Sequence, residues 1–563
     1  MEAGKRNITD IFNRARSLEI PFFQRTYVWS EENWSRFLDD MVAVEEKQKD
    51  YFLGSVILKQ RQTGTDKKIG DIRSVVDGQQ RLTTLVLFFK VLYDQRNCPE
   101  RFKDTFYNFG DKLTLQHNHN DQEIFEAIIS DGLTDALRTK YEKSRVLGAF
   151  SFFLENREAV AEIDPISLLT RVYFVGIDLS ADEDEQQIFD TINSLGVALS
   201  TAELLKNELF DRDDLALYKR TWKRVFESDE PCKQYWGDLI TAGRNYRESI
   251  DLFLQSFLQI QPRVPDDVRV ESLCESFKKY LKEEVTDRQA FIEELTRCAG
   301  LYRSSIAPRL LDQEIDSQAA VERLNVVLLG LNTTTAIPYV LYILRRVDSQ
   351  DERNRMFGLI ESYLMRRLIC RETTKHYNKL FGSFIRAGLD SYEALAERLS
   401  KSEEVTSRFP SDDRLTEGFQ SSNLTNQQAR VVLYIIERSI RNDAKHSTAL
   451  SGFTHYSLEH LMPKKWRNNW EPAGPEESGE RDQVLRKLGN LSLLSSSLNS
   501  SIRDGDWPTK KSGKGKRHGL SQYAAGLDTL AEDLSNETWA ESDIRSRGQR
   551  LAEQAIQVWP YPG

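Results

Sequence analysis

Tyr456-Ser457-Leu458-Glu459-His460-Leu461-Met462-Pro463, followed at a distance by Leu488-Gly489-Asn490-Leu491-Ser492-Leu493-Leu494 and then by Asn499, decides the reading of the C-terminal region. Tyr456 to Leu461 predicts one strand and Gly489 to Leu494 a second. Ser497 to about Arg503 predicts the opening turns of a helix, so the order is ββα. A carboxylate, a histidine and two amides are distributed over it in that order.

These residue types suit one chemistry. A hard divalent cation takes oxygen ligands and keeps several waters, so Glu459 and the side-chain carbonyl of Asn499 are candidates to hold Mg²⁺ or Mn²⁺ beside a phosphate. His460 is the candidate general base, because a neutral imidazole takes a proton from water near neutral pH better than an ordinary carboxylate does. The ion would stabilise charge building on the phosphoryl oxygens and the departing 3′-oxygen. Asn490 can bond back to the backbone around His460 and fix the ring, which makes it the second catalytic candidate. The set resembles the HNH, or ββα-metal, nuclease superfamily, where carboxylate-His, then Asn, then Asn or His follow in order. The gap between His460 and Asn490 is longer than that pattern has. With Pro472, Gly474 and Pro475 in it, it reads as a loop inserted between the strands. A Glu-His pair in a strand and a Gly-Asn dipeptide are each ordinary features, so the order carries the weight.

At 563 residues the chain is too long for one core and should hold two to four domains. Apolar content of 39% and charged content of 29% are those of a globular protein. No apolar run approaches a membrane span and Met1 to Arg6 has no apolar run behind it, so a cytoplasmic protein with no membrane partner is expected. Five scattered cysteines give neither a disulfide framework nor a zinc knuckle, and should be buried thiols.

A net charge of −10 is unpromising for DNA, but distribution matters more than the sum. Residues 509–518 carry five cations, Lys510, Lys511, Lys514, Lys516 and Arg517, and no acid. Lys464, Lys465 and Arg467 follow the first motif strand with Trp466 among them. Both groups are candidates for backbone phosphates of double-stranded DNA. The competing reading is a solvated loop that is basic by chance.

A second constellation lies upstream. Ile20-Pro21-Phe22-Phe23-Gln24-Arg25-Thr26-Tyr27-Val28-Trp29 precedes Tyr51-Phe52-Leu53-Gly54-Ser55-Val56-Ile57-Leu58 and Ser74-Val75-Val76-Asp77-Gly78-Gln79-Gln80-Arg81-Leu82. The last stretch predicts strand, tight turn and helix, with Gly78 at the bend and Leu82, Leu85, Val86 and Phe89 on an apolar face. Amides at a helix start favour an anion, and Gln79, Gln80 and Arg81 add donors. A triphosphate fits, with Asp77 holding its Mg²⁺ or orienting a water. Gln24-Arg25 offers another donor pair, although spacing alone favours a pairing of Arg25 with a nearby acid such as Glu31 or Asp39. Phe22, Phe23, Tyr27, Trp29 and Trp34 suit a core. There is no P-loop sequence. Further on, Ile188, Ile192 and Leu195 are spaced as a helix ending at Gly196, and Ser200 with Glu203 caps the next.

Ile-Pro-x-Phe-Gln-Arg-x-Tyr-x-Trp, Phe-Leu-Gly-Ser, Asp-Gly-Gln-Gln-Arg-Leu-Thr-Thr-Leu and the Phe189 to Asn207 stretch resemble the ParB/sulfiredoxin-like N-terminal domain of the GmrSD family. That family comprises modification-dependent, type IV restriction enzymes and related phage-defence nucleases. The likeness runs from about Ile8 to Phe210 and again from about Tyr456 to Pro560. It implies that the Asp77 turn binds and hydrolyses a nucleoside triphosphate (GTP, ATP or another), coupled to cutting modified DNA at a C-terminal HNH domain. Carried onto this chain, the nucleotide residues are Gln24, Arg25, Asp77, Gly78, Gln79, Gln80 and Arg81, with Phe189 and Asn193 in support. Asp77 would also be catalytic. The nuclease residues are Glu459, His460, Asn490 and Asn499.

From about 215 to 430 apolar stripes predict helices, among them Phe357, Leu359, Ile360, Tyr363 and Leu364. Arg366-Arg367 and Cys370 also resemble the family's central region; an Arg pair on an amphipathic helix is ordinarily solvated, and a core or interface role is assigned to this stretch. Ser402 to Asn426 reads as a linker before a helix over 427–442. The expected fold is therefore a multidomain, mostly helical α+β protein: a ParB-like nucleotide-binding domain over 1–214, a helical connecting domain over 215–425 and a ββα-metal nuclease domain over 426–563. The sequence leaves room for a homo-oligomer. Two other functions fit the same residues: a nucleotide-binding regulator that holds DNA without cutting it, and a nuclease of low selectivity that arrests growth.

Overall fold

The computed structural model describes residues 2–21, 24, 26–61, 71–117, 121–181, 183, 201–210, 214–242, 245–264, 268, 270–315, 320–442, 444, 446, 449–470, 474–495, 504–514, 517–523 and 526–562. The chain divides into two compact units, Met1–Ala216 and Leu217–Gly563, and is mostly helical with one larger sheet. Among the described residues no helix is long and apolar enough to cross a membrane.

The first unit is built on a mixed sheet in the order β1-β6-β3-β4-β2-β5. Its strands are β1 (Glu2–Asn7), β2 (Arg16–Glu19), β3 (Tyr51–Gln60), β4 (Asp71–Asp77), β5 (Leu115–Gln116) and β6 (Val172–Leu179). Helix α1 (Glu31–Lys47) starts at Ser30, whose amide donates to Asn33 at 3.0 Å, and buries Trp34, Phe37, Leu38, Met41 and Val44 at helical spacing. Helix α2 (Gln79–Asp94) follows β4 through Gly78, as the strand-turn-helix reading expects. Its residues Leu82 to Phe89 are all buried, so it is the core helix of this unit. Helix α3 (Arg145–Glu155) closes on it, Phe153 meeting Phe88 edge to face at 5.4 Å.

The second unit contains the hairpin β7 (Leu239–Ala242) and β8 (Asn245–Glu248), then α4 (Ser249–Gln259), α5 (Ile337–Arg346), α6 (Gln350–Ile369) and α7 (Tyr377–Arg386). Next come α8 (Asp412–Ser421) and α9 (Asn426–Ile440), the latter opened by Thr425 and Gln428 as a capping box. Strand β9 (Tyr456–His460) pairs antiparallel with β10 (Leu491–Ser495), Glu459 opposite Ser492. Helix α10 (Pro475–Val484) lies between the strands in sequence; α11 (Trp507–Ser512) and α12 (Glu541–Val558) follow.

Two local expectations change. The stretch read as a linker contains α8, which buries Leu415, Gly418 and Phe419; a Cβ on Gly418 would stand 3.0 Å from the Ile369 carbonyl oxygen. The stretch read as an inserted loop contains α10, and Trp466 donates to Asp482 at 2.8 Å. Arg366 and Arg367 are fully buried, in keeping with the core role assigned to their stretch. Burial is tolerable because carbonyls satisfy the guanidinium donors. Arg366 reaches Trp559 O at 2.7 Å, Pro410 O at 2.9 Å and Asp412 at 2.6 Å; Arg367 reaches Thr373 O at 2.6 Å and Arg408 O at 2.8 Å. All five cysteines are free; Cys232, Cys274 and Cys298 are buried, Cys98 and Cys370 half-buried.

Candidate active site

Glu459 and His460 end β9 side by side, where alternate strand residues point to opposite faces. The Glu459 carboxylate is buried, and the ammonium of Lys510, itself wholly buried on α11, is hydrogen-bonded to its Oε1. The same ammonium donates to the His460 carbonyl at 2.6 Å. Burial raises the Glu459 carboxyl and lowers the Lys510 ammonium despite their mutual attraction, which opposes both shifts. Asp504 adds to the rise at Glu459. The half-buried His460 ring is pushed down to about 4, first by burial and then by the charges of Lys464, Lys510 and Arg486. Its imidazole is therefore neutral near pH 7, with a free lone pair on the ring.

Asn490 explains why a Gly-Asn pair precedes β10. Its Oδ1 accepts from the Met462 amide at 2.8 Å and from Trp539 Nε1 at 3.1 Å, and its Nδ2 donates to Met462 O at 2.8 Å and Leu485 O at 3.0 Å. This buried amide fixes the chain two residues beyond His460. Gly489 is required by contact: a Cβ there would fall 2.0 Å from the Ile544 carbonyl oxygen of α12. Arg547 of α12, fully buried, donates to Gly489 O at 2.9 Å and Leu491 O at 2.7 Å. Sequence reasoning missed Lys510's link to Glu459, Arg486 near His460 and the bracing by Arg547, because a cation in sequence is read as solvated.

Of the cations assigned to DNA, Lys464 and Lys465 are exposed. Arg467 pairs with Asp482 at 2.8 Å and lies 4.4 Å from the Trp466 ring centre. Lys511 donates to Asn536 O at 3.0 Å. Lys510 is a correction: its charge is directed at Glu459 and away from solvent, since a buried ammonium needs an anionic partner. Asn499, Lys516 and the side chains of Lys514 and Arg517 lie outside the described residues. Among the described residues no three His, Cys, Asp or Glu side chains cluster as a metal site.

In the first unit, Asp77 and Arg81 pair at 2.9 Å, one helical turn apart. Ser55 Oγ donates to Asp77 at 3.1 Å and Arg81 donates to Ser55 O at 2.8 Å. The Phe-Leu-Gly-Ser sequence thus forms the wall beside the turn. Gly54, at φ +120°, leaves room for the guanidinium, and Gly78, at φ +96°, approaches Val56 so closely that a Cβ would sit 2.9 Å from its Cγ2. Arg81 Nε is buried and has no hydrogen-bond partner among the described residues.

Gln24 and Gln80 hold the scaffold of this turn. The Gln24 amide donates to Val75 O at 2.8 Å and Val76 O at 3.1 Å, and Gln80 Oε1 accepts from the Val28 amide at 2.8 Å. Tyr27 joins them through Thr84 at 2.6 Å and Trp34 at 2.8 Å. Gln79, half-buried, opens α2 next to Gly78. Arg25, Phe189 and Asn193 lie outside the described residues.

Residues 8–210 match the GmrSD restriction endonuclease N-terminal domain, and residues 409–554 match the C-terminal domain of GmrSD restriction endonucleases. No curated protein matches the chain.

Proposed function

The chain belongs to the GmrSD restriction endonuclease family, and from that premise we propose that it is a nucleotide-regulated, divalent-metal-dependent endonuclease that cuts modified foreign DNA. The observation that carries the reading is the Glu459-His460 pair at the end of β9, a buried carboxylate beside a neutral imidazole, braced by Asn490. The antiparallel β9–β10 pair supports the reading of an HNH ββα motif, and the six-stranded sheet supports the reading of a ParB-like nucleotide domain.

The donor set suits a hard cation. Glu459 and the His460 carbonyl already hold the positive charge of Lys510, and carboxylate and carbonyl oxygens are what Mg²⁺ or Mn²⁺ takes. Glu459 and Asn499 would hold the ion. When bound, it supplies Lewis-acid stabilisation of charge on the phosphoryl group.

The chain's own residues do the rest. His460 takes a proton from the attacking water on an imidazole nitrogen. Lys464 and Lys465 meet the phosphodiester backbone. Asn490 holds the chain at Met462 so that the ring keeps its orientation. In the first unit, Asp77, Gly78, Gln79 and Arg81 receive the triphosphate, with Asp77 orienting the water that hydrolyses it; Gln24 and Gln80 keep the turn in shape.

Cleavage of modified and unmodified plasmid DNA, with and without ATP or GTP and Mg²⁺ or Mn²⁺, tests the reading. Cutting of the modified DNA should vanish in His460→Ala, and NTP hydrolysis should fall in Asp77→Ala. Unchanged cutting by His460→Ala, or equal cutting of both DNAs, refutes it.

A further inference from the structure

Two adjoining cavities in the second unit share Gln259 at the end of α4 and both border α7. The larger, about 580 Å³, is lined by Arg263, Arg345, Arg346 and Arg386. The smaller, about 420 Å³, is lined by Arg247, His376 and Lys379. No carboxylate stands among the described residues that line either one, in a chain whose acids outnumber its Lys and Arg, 87 to 77.

Local structure accounts for part of this charge. Arg345, Arg346 and Arg386 fall in the last turns of α5 and α7, where cations complement the helix dipole. Arg263 reaches Glu284 at 2.8 Å and Arg345 reaches Glu294 at 2.6 Å, two acids outside the lining. Neither account covers Lys379 of the smaller cavity. Lys379 stands in the first turn at the opposite, N-terminal end of α7, where a cation opposes the dipole and where no side chain caps the helix. The positive field of such an end adds to the charge of Lys379 instead of offsetting it. Asn245 and Arg247, two apart on β8, turn the same strand face to this cavity.

We propose that this basic track along α7 binds the phosphodiester backbone of the DNA on which the enzyme acts, as a second contact surface besides the β9–β10 site. The proposal rests on the nuclease reading above. The ten residues of α7 span roughly 15 Å, the length of about four nucleotides along one strand of a duplex. Cations at both ends of the helix, Lys379 at one and Arg386 at the other, match a repeating anion better than a single phosphate. Arg346 and Lys379 are exposed, so they can be changed without opening a core.

The test uses the full chain carrying His460→Ala, duplex DNA and a chelator, with binding measured against salt concentration. Each phosphate contact contributes about 0.9 to the slope of log K on log salt, so Arg346→Ala with Lys379→Ala should lower the slope by about two and weaken binding at every salt concentration. Removing the same charge at Lys233 and Lys401, exposed lysines paired with Glu230 and Glu397, should leave the slope unchanged. An unaltered slope in the Arg346/Lys379 variant, with the reference chain binding normally, overturns the proposal and leaves the nuclease reading standing. Loss of slope equal to that in the Lys233/Lys401 control overturns it as a net-charge effect. ATP or GTP binding that is lost in the Arg346/Lys379 variant while DNA binding persists overturns it in favour of a nucleotide. A reference chain that binds no DNA sinks the nuclease reading itself.

Discussion

Lys510 and Glu459 form a buried ion pair between α11 and the end of β9, and the same ammonium holds the His460 carbonyl at 2.6 Å. A cation from one helix therefore fixes both the carboxylate and the backbone of the histidine beside it. Lys510→Met leaves Glu459 buried with no counter-charge, and should cost about 3–5 kcal/mol of stability. Adding Glu459→Leu should recover much of that loss, because it removes the stranded charge. Urea melts of the single and double variants measure both effects.

The low basicity of His460 sets an expectation for pH. With the ring held to about 4 by burial and by neighbouring cations, it stays neutral down to mildly acid solution. Cleavage should keep its rate from pH 7 to pH 5.5 and fall only as pH approaches 4. An acid limb near 6.5 in kcat/KM would show that burial and the neighbouring cations do not depress the His460 ring in the free enzyme.

Gly54 gives the first unit its clearest point of failure. Gly54→Ala puts a Cβ 3.3 Å from Arg81 Nε on a backbone at φ +120°. Strain of about 1–3 kcal/mol is expected there, and relief by moving the guanidinium would separate it from Asp77. NTP affinity should fall while DNA cleavage measured without nucleotide does not.

His117 is buried, its Nε2 is 3.0 Å from Thr83 Oγ1, and burial holds it to about 3. The unfolded chain has an ordinary histidine pKa near 6.5, so between those values the unfolded state binds more protons. This contribution is complete above pH 6.5 and is lost at about 1.4 kcal/mol per pH unit as pH falls toward 3. Relative to the wild type, His117→Gln should lose stability at pH 7 and be less sensitive to acid. Denaturation at pH 7, 6 and 5 checks the difference.

What the sequence makes legible is local. Glu459, His460 and Gly489-Asn490 are recognisable because strand alternation and turn chemistry act over a few residues, and the same holds for Asp77-Gly78 before α2. Charges buried by distant partners are not. The partners of Arg366 stay unread until Pro410, Asp412 and Trp559 close round it, and Lys510 reads as a phosphate ligand until Glu459 is found beside it. Gln24 and Gln80 were drawn in as ligand donors because an amide's partner cannot be read from its neighbours; here the partners are the backbone at Val75, Val76 and Val28. Helix α8 went unread because Ser, Asp and Glu on its open face outweigh the spacing of Leu415, Gly418 and Phe419.

The bracing of the hairpin by Arg547 bears on the order of synthesis. The carbonyls it satisfies, at Leu488, Gly489 and Leu491, are made 56 to 59 residues before it. While translation is between these points the hairpin has been made but lacks its buried donor, and contacts of such long sequence separation form late. A ribosome-bound chain thus completes the bracing of its β9–β10 hairpin only once α12 has been synthesised.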